Sequence, residues 1–226
     1  MSTTLDPTTV SLPASVLPLH WTLADVRRHL GGIPLQRIRL YPPPGMATED
    51  DALRLHGRES VLCEVVDGIL VEKAVGTFES LLAVFLISEL QNFLNRHPLG
   101  LILGADGPLH LKSGNMRIPD VSYLKWERFP ARLVPRHRVW LMPPDLAVEI
   151  LSLGNTAREI RQKTSEYFAS GTEAVWIIDP KKREAFIHTS PTDRVRISPD
   201  DDLECPSLLP GFRLRLGDLL DRVGQE

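Results

Sequence analysis

Cysteine is nearly missing from this chain: among 226 residues only Cys63 and Cys205 occur, and no Cys-x-x-Cys pair is present. A zinc site therefore lacks its usual ligands, and the two thiols read as packing residues. The seven histidines are scattered with no helical His-x-x-x-His pair, so a transition-metal cluster has no support either. Long hydrophobic runs are also missing, since the longest, residues 81–87, falls far short of a membrane span. Neither a basic start nor a long apolar stretch marks the first twenty residues, so no secretory signal is expected and the expected location is cytoplasmic. A large excess of charge of one sign is missing too, with 26 Lys and Arg against 29 Asp and Glu. A net charge of -3 argues against indiscriminate, charge-driven binding to nucleic acid.

What remains is an ordinary soluble composition, 42% hydrophobic and 24% charged, in a length that suits one well-buried domain. Residues 1–20 are rich in Ser, Thr and Pro and read as a mobile tail. Residues 21–60 read as a helix followed by a Pro-rich arm. Thr22 and Asp25 form a capping-box pattern for a helix over 23–30, Gly31-Gly32 ends it, and Pro42-Pro43-Pro44-Gly45 makes the stretch to about residue 58 a linker or arm. The domain proper is expected over 61–226. It begins with a hairpin turning at Asp67-Gly68, then a helix over 78–94 with Phe78, Leu82, Phe85, Leu86, Leu90 and Phe93 at helical spacing. Strands follow over 100–103, 109–112, 118–124 and 146–151. A second capping box, Thr156 with Glu159, starts a helix that Gly171 stops, and 174–178 is a buried strand. This strand-helix-strand order predicts parallel pairing through a right-handed crossover.

Three residues break the pattern. Asp120 and Glu149 are acids expected inside apolar strands, and Lys163 lies on the apolar stripe of the crossover helix, between Ile160 and Tyr167. Unpaired charge is costly to bury, so such residues pair or hold a metal. Lys163 has two readings from spacing alone: a side chain that snorkels to water, or a partner for a carboxylate on the sheet below. Glu79, on the first turn of the long helix, reads by spacing as a residue favoured by the helix dipole. The basic segment KWERFPARLVPRHR, residues 125–138, is either a solvated connection or a phosphate-contacting surface. Two buried carboxylates on neighbouring strands supply hard oxygen ligands suited to Mg²⁺ or Mn²⁺, and with a lysine nearby the chemistry points to metal-assisted phosphodiester hydrolysis.

The segments RIPDVSYL, PDLAVEILS, RQKTSEYFASG, AVWIIDP and LPGF, in this order, closely resemble the Uma-two family of restriction endonucleases, within the PD-(D/E)XK nuclease superfamily. The resemblance runs over about residues 63–220. It implies an α/β fold: a restriction-endonuclease-like αβββαβ core with a mixed central sheet flanked by helices, here carrying an N-terminal arm. By position, Pro119-Asp120 matches the PD of the motif, Glu149 its second acid, and Ile150 the residue whose backbone carbonyl joins the metal. Leu151 stands where the motif places its lysine. In the resembled family that lysine is often displaced into the following helix, which is where Lys163 lies, and Glu79 matches an accessory acid.

The leading expectation is thus a Mg²⁺-dependent endonuclease, Mn²⁺ substituting, with Asp120 and Glu149 on the metal, Lys163 assisting the water and Glu79 tuning the site. Ser152, Asn155, Arg128 and Arg132 are expected to contact a nucleic-acid substrate, DNA more than RNA, and a homodimer would suit cutting of both strands. Membrane partners are not expected. The alternative is a nuclease-derived binding or interaction module that lost the reaction, a reading favoured by the net acidity and by Leu151.

Overall fold

Backbone punctuation sets the first elements. A helix, α1 (Leu23–His29), is opened by the Thr22–Asp25 capping box, and a second, α2 (Glu49–Glu59), by the same device at Thr48 and Asp51. Asp67 and Gly68, both at positive φ, then close the hairpin of β1 (Cys63–Val66) and β2 (Ile69–Glu72). The structure is a computed structural model, and it describes residues 17–18, 20–74 and 76–223. The tail expected over 1–20 lies almost wholly outside the described residues.

The remaining elements are α3 (Thr77–Arg96), β3 (Gly100–Leu103), β4 (Leu109–His110), β5 (Met116–Arg117), β6 (Val121–Lys125), β7 (Leu146–Ile150), α4 (Ala157–Ser170), β8 (Ala174–Asp179), β9 (Glu184–His188), β10 (Arg194–Ile197), β11 (Asp202–Leu203), β12 (Leu214–Arg215) and α5 (Leu216–Asp221). A six-stranded sheet has the order β10-β9-β8-β7-β6-β3, in which only β7 and β8 run parallel. Read along the chain, α3-β3-β6-β7-α4-β8 is the αβββαβ core, a mixed central sheet with a helix on each face. A second sheet, β2-β1-β5-β4, packs beside it.

By length and composition alone α3 could cross a membrane. Its Leu82, Leu86 and Leu90 are instead fully buried against Val121, Val148 and Trp176, as the core helix on one sheet face. The opposite face carries Ala147, Val175 and Ile177 under Ile160 and Tyr167 of α4. Side chains alternate across a strand, so Glu149 shares the α4 face with Ala147.

Two sequence expectations need correction. Asp120 is not inside a strand. Pro119 has no N–H to give to a ladder, so the strand expected over 118–124 begins only at Val121, as β6 of the large sheet, and Asp120 stands in the crossing between it and β5 of the small sheet. The arm, too, is not a plain linker: α2 buries Ala52 against the cluster of Cys63, Val65 and Met116. The Thr48–Asp51 capping box that opens this helix lies close after the prolines, and the expectation of a linker takes no account of it.

Gly100 allows β3 to lie close on β6. A Cβ there would sit 2.2 Å from the Leu124 carbonyl oxygen and 2.4 Å from the Tyr123 ring. Gly100→Ala is therefore expected to lower the unfolding free energy by about 1–3 kcal/mol through overpacking. Urea denaturation measures this, and an unchanged midpoint would show that the edge strand yields without cost.

Candidate active site

The end of β7 is where the charge anomalies converge. Asp120 accepts a hydrogen bond from the Ile150 amide, N to Oδ2 2.7 Å, while its own amide donates to the Val148 carbonyl at 2.9 Å. These two bonds fix the Asp120 carboxylate beside the strand that carries Glu149. Glu149 is 4% exposed, and its Oε1 accepts from the Tyr167 hydroxyl at 2.6 Å. The Lys163 ammonium lies 3.1 Å from Glu149 Oε2, 3.3 Å from its Oε1, and 3.0 Å from Glu64 Oε1. Lys163 is 2% exposed. Spacing left it two readings, and the structure has the paired one.

The pairing follows from helix geometry. Ile160, Lys163, Thr164 and Tyr167 fall on one stripe of α4, which the capping box at Thr156 and the Gly171 terminator hold over β7 and β8. A lysine stem in this stripe is enclosed before it can reach water, so its ammonium must find carboxylates.

Two residues outside the sequence expectation complete the cluster. Glu64, on β1, is wholly buried and also accepts from Arg117 Nη1 at 2.8 Å and from the Ile118 amide at 3.1 Å. Arg117 in turn forms a two-pronged bond to Glu166, 2.8 Å for each prong. Lys73, just after β2, places its ammonium 2.9 Å from Asp120 Oδ1 and donates to the Ala105 carbonyl at 3.1 Å. Each acid of the expected pair thus has a lysine of its own.

Electrostatics divides the acids. Burial pushes the Glu149 carboxyl up; Lys163 pulls it down, but Asp120 and Glu64 crowd it further, and the net shift is upward. Burial acts on Glu64 in the same sense, yet Lys163 and Arg117 overcome it and hold that group at about 2. Burial opposes the charge of Lys163, and Glu149 and Glu64 together raise it well above the ordinary lysine value. Burial and the neighbouring Glu149 carboxylate keep the Tyr167 phenol protonated. A buried carboxyl raised above its ordinary value beside another held below its own is a pattern found at functional sites.

The other expected residues separate into two places. Glu79, Ser152 and Asn155 line a cleft of about 1080 Å³ that opens at the carboxyl end of β7 and β8, alongside α4. Glu79 folds back over the start of its helix, so that a Cβ at Gly76 would lie 1.8 Å from its Oε2. Ser152 donates its amide and hydroxyl to Asn155 Oδ1, at 3.0 and 3.1 Å, which shapes the loop. Leu151 is half-buried on the wall of the same cleft. Arg128 and Arg132 lie elsewhere. Arg128 is bonded to Asp145 at 2.7 Å, which precedes β7, about 13 Å from Glu149 at the rise of a strand. Arg132 stacks its guanidinium 5.3 Å from the Trp126 ring centre. Both arginines are thus engaged in local contacts at the far end of the strand.

An N-terminal contact reaches this region as well. Arg37 forms a two-pronged bond to Glu159 on the first turn of α4, 2.7 and 3.0 Å, and donates to the Gly154 carbonyl at 2.8 Å. Burial would raise the Glu159 carboxyl, but Arg37 and Lys163 leave it below the ordinary range.

With an acid pair, its lysines and an αβββαβ core in place, likeness to known proteins becomes informative. Residues 49–217 match the family model Uma2, described as "Putative restriction endonuclease". The chain belongs to this family. Among solved structures, the fold is similar to that of "a putative nuclease belonging to DUF820" from Anabaena variabilis ATCC 29413, with a TM-score of 0.67 and 19% identity, over 77% of this chain and 97% of that one. No curated protein matches the sequence. The Uma2 match begins at α2 and ends in α5, so it takes in Glu64, Lys73, Asp120, Glu149 and Lys163 and leaves out Arg37.

Proposed function

We propose that this Uma2 protein is a metal-dependent nuclease that hydrolyses phosphodiester bonds, DNA before RNA, with Mg²⁺ as its ion and Mn²⁺ as substitute. The observation that supports it best is the placement of two buried carboxylates at one strand end: Asp120 is bonded to the amide of Ile150, the residue that follows Glu149. Like charges held together in a protein interior suit a divalent cation. Among the described residues no group of three or more His, Cys, Asp or Glu is disposed to hold an ion. Two carboxylates still fit Mg²⁺, which keeps several waters and takes further ligands from substrate phosphates.

In this reading Asp120 and Glu149 would hold the ion, with the Ile150 backbone carbonyl as a further ligand. When bound, the ion supplies charge neutralisation at the phosphate and a water of lowered pKa. The chain's own groups do the rest. Tyr167 and Lys163 fix the orientation of the Glu149 carboxylate, and the Ile150 amide fixes Asp120. Two lysines are at hand to assist the water. The Lys163 ammonium is wedged against three carboxylate oxygens, whereas Lys73 meets one carboxylate oxygen and one carbonyl and keeps a donor free. We therefore assign the orientation of the water to Lys73, and to Lys163 the support of Glu149. Glu79, on the cleft wall, is kept as an accessory acid.

One observation favours the second reading, a nuclease fold that binds without cutting: each acid is already neutralised by a lysine. A joint measurement separates the two. Purified protein with Mn²⁺ is expected to cut DNA and to melt several degrees higher than with EDTA, and Asp120→Ala is expected to lose both effects. If Mn²⁺ neither shifts the wild-type melting curve nor supports cleavage of a broad panel of DNA and RNA, the metal reading fails and the binding module stands.

A further inference from the structure

The cleft beside α4 is built from two kinds of residue, and their combination points to the form of the substrate. Its floor is apolar: Leu151, Ile160, Ile177 and Phe186. Its rim is cationic, with Arg161, Lys181, Lys182, Arg183 and Arg194 against the acids Glu79 and Asp179. This concentration is local, because the chain as a whole carries a net charge of -3. Lys182 is partnered by Asp179 at 3.1 Å and Arg183 by Asp221 at 2.8 Å. Arg161 and Lys181 are exposed and form no ion pair among the described residues. Arg194 lies over the Phe186 ring, 4.4 Å from its centre, so a flat cation and an aromatic ring make one platform inside the cleft. At the mouth, Phe78 is 40% and Leu153 91% exposed.

A double helix would use only half of this. Its outer surface is phosphate and its bases are stacked within, so the rim would serve it and the apolar floor would face nothing. An unpaired strand uses both parts, since each nucleotide brings a charged backbone and a base with free apolar faces that stack on rings and guanidinium groups. Resting on the nuclease reading for the class of occupant, we propose that this cleft binds an unpaired polynucleotide strand, with phosphates on Arg161 and Lys181 and bases over the Phe186–Arg194 platform. Ser152 and Asn155 lie on the same wall, at the loop that follows Glu149, so a strand held here passes the end of β7.

The test is equilibrium binding in EDTA, by fluorescence anisotropy, with labelled 12-nucleotide single-stranded DNA, the RNA of the same sequence and the corresponding DNA duplex. A single strand, DNA or RNA, is expected to bind at least ten-fold more tightly than the duplex. The double variant Arg161→Glu, Lys181→Glu should weaken strand binding ten-fold or more. It should also flatten the slope of log K against log salt by about 1.4, the share of two phosphate contacts on a single strand. Lys181→Glu alone, on an exposed turn, gives a smaller loss of the same kind and guards against misfolding of the double variant. Equal or tighter binding of the duplex overturns the proposal, as does strand affinity that the reversals leave unchanged. Because the assay needs no metal, a protein that binds strands and never cuts them retains this site while the nuclease reading falls. A protein that cuts but prefers duplex sinks this proposal alone.

Discussion

Glu64→Ala is expected to destabilise the protein by about 3–5 kcal/mol, the range for breaking a buried ion pair by removing one partner. The loss is large because the carboxylate is wholly enclosed and serves three groups at once: Arg117, Lys163 and the Ile118 amide. Its removal leaves a guanidinium and an ammonium buried with one acid fewer between them. Acid should act in the same direction. The folded-state value of Glu64, about 2, lies below its ordinary 4.5, so its contribution is complete above the higher value and is lost as pH falls towards the lower. Glu149 is shifted upward, so its ionised form opposes folding at neutral pH and protonation relieves it. Chemical denaturation at a series of pH values checks both points. Glu64→Gln should flatten the acid limb, and Glu149→Gln should not. An alanine variant at 64 that unfolds at the wild-type midpoint would rule out a structural role for the pair.

The second large effect is expected at the two lysines, and it differs between them. Lys73→Met should lower the cleavage rate by about 10²–10⁴-fold, the usual contribution of a positioned proton-handling group, while Mn²⁺ binding persists. With one cation fewer at Asp120, binding should if anything tighten. Lys163→Met should lose cleavage as well, but together with stability, because Glu64 and Glu149 would then face each other inside the protein without their shared ammonium. Mn²⁺ titration by calorimetry beside single-turnover cleavage separates the roles. If Lys73→Met cuts at the wild-type rate and Lys163→Met melts normally but is inert, the assignment of the two lysines is reversed.

Much of this arrangement was legible before any coordinates. Glu149 stood out because a strand buried on both faces has no place for an unpaired acid, and Lys163 because helical spacing put it under Ile160 and Tyr167. The same rule applied to Cys63-Glu64-Val65-Val66 would have flagged Glu64, which a short hairpin strand concealed. Lys73 carried no such signal. It follows the strand at the end of a hairpin, and only the fold of a second sheet beside the first brings it to Asp120. Tyr167 was read as one more apolar residue of a stripe, correct for its ring and silent about its hydroxyl. Arg128 and Arg132 failed to join the acids for a physical reason: a basic segment says nothing about which end of a strand it will cover, and Asp145 claims Arg128 at the other end.

The contact of Arg37 with Glu159 bears on where the folding unit begins. The Uma2 match starts at residue 49, yet Glu159, 4% exposed at the head of α4, is answered by an arginine twelve residues upstream of that boundary. Gly31 is pressed against the same turn, where a Cβ would come within 2.7 Å of the Glu159 amide. Evolutionary relatedness and mechanical completeness therefore have different borders in this chain. A gene fragment trimmed to the shared region would keep every acid and lysine of the cluster and lose the brace on the helix that carries Lys163.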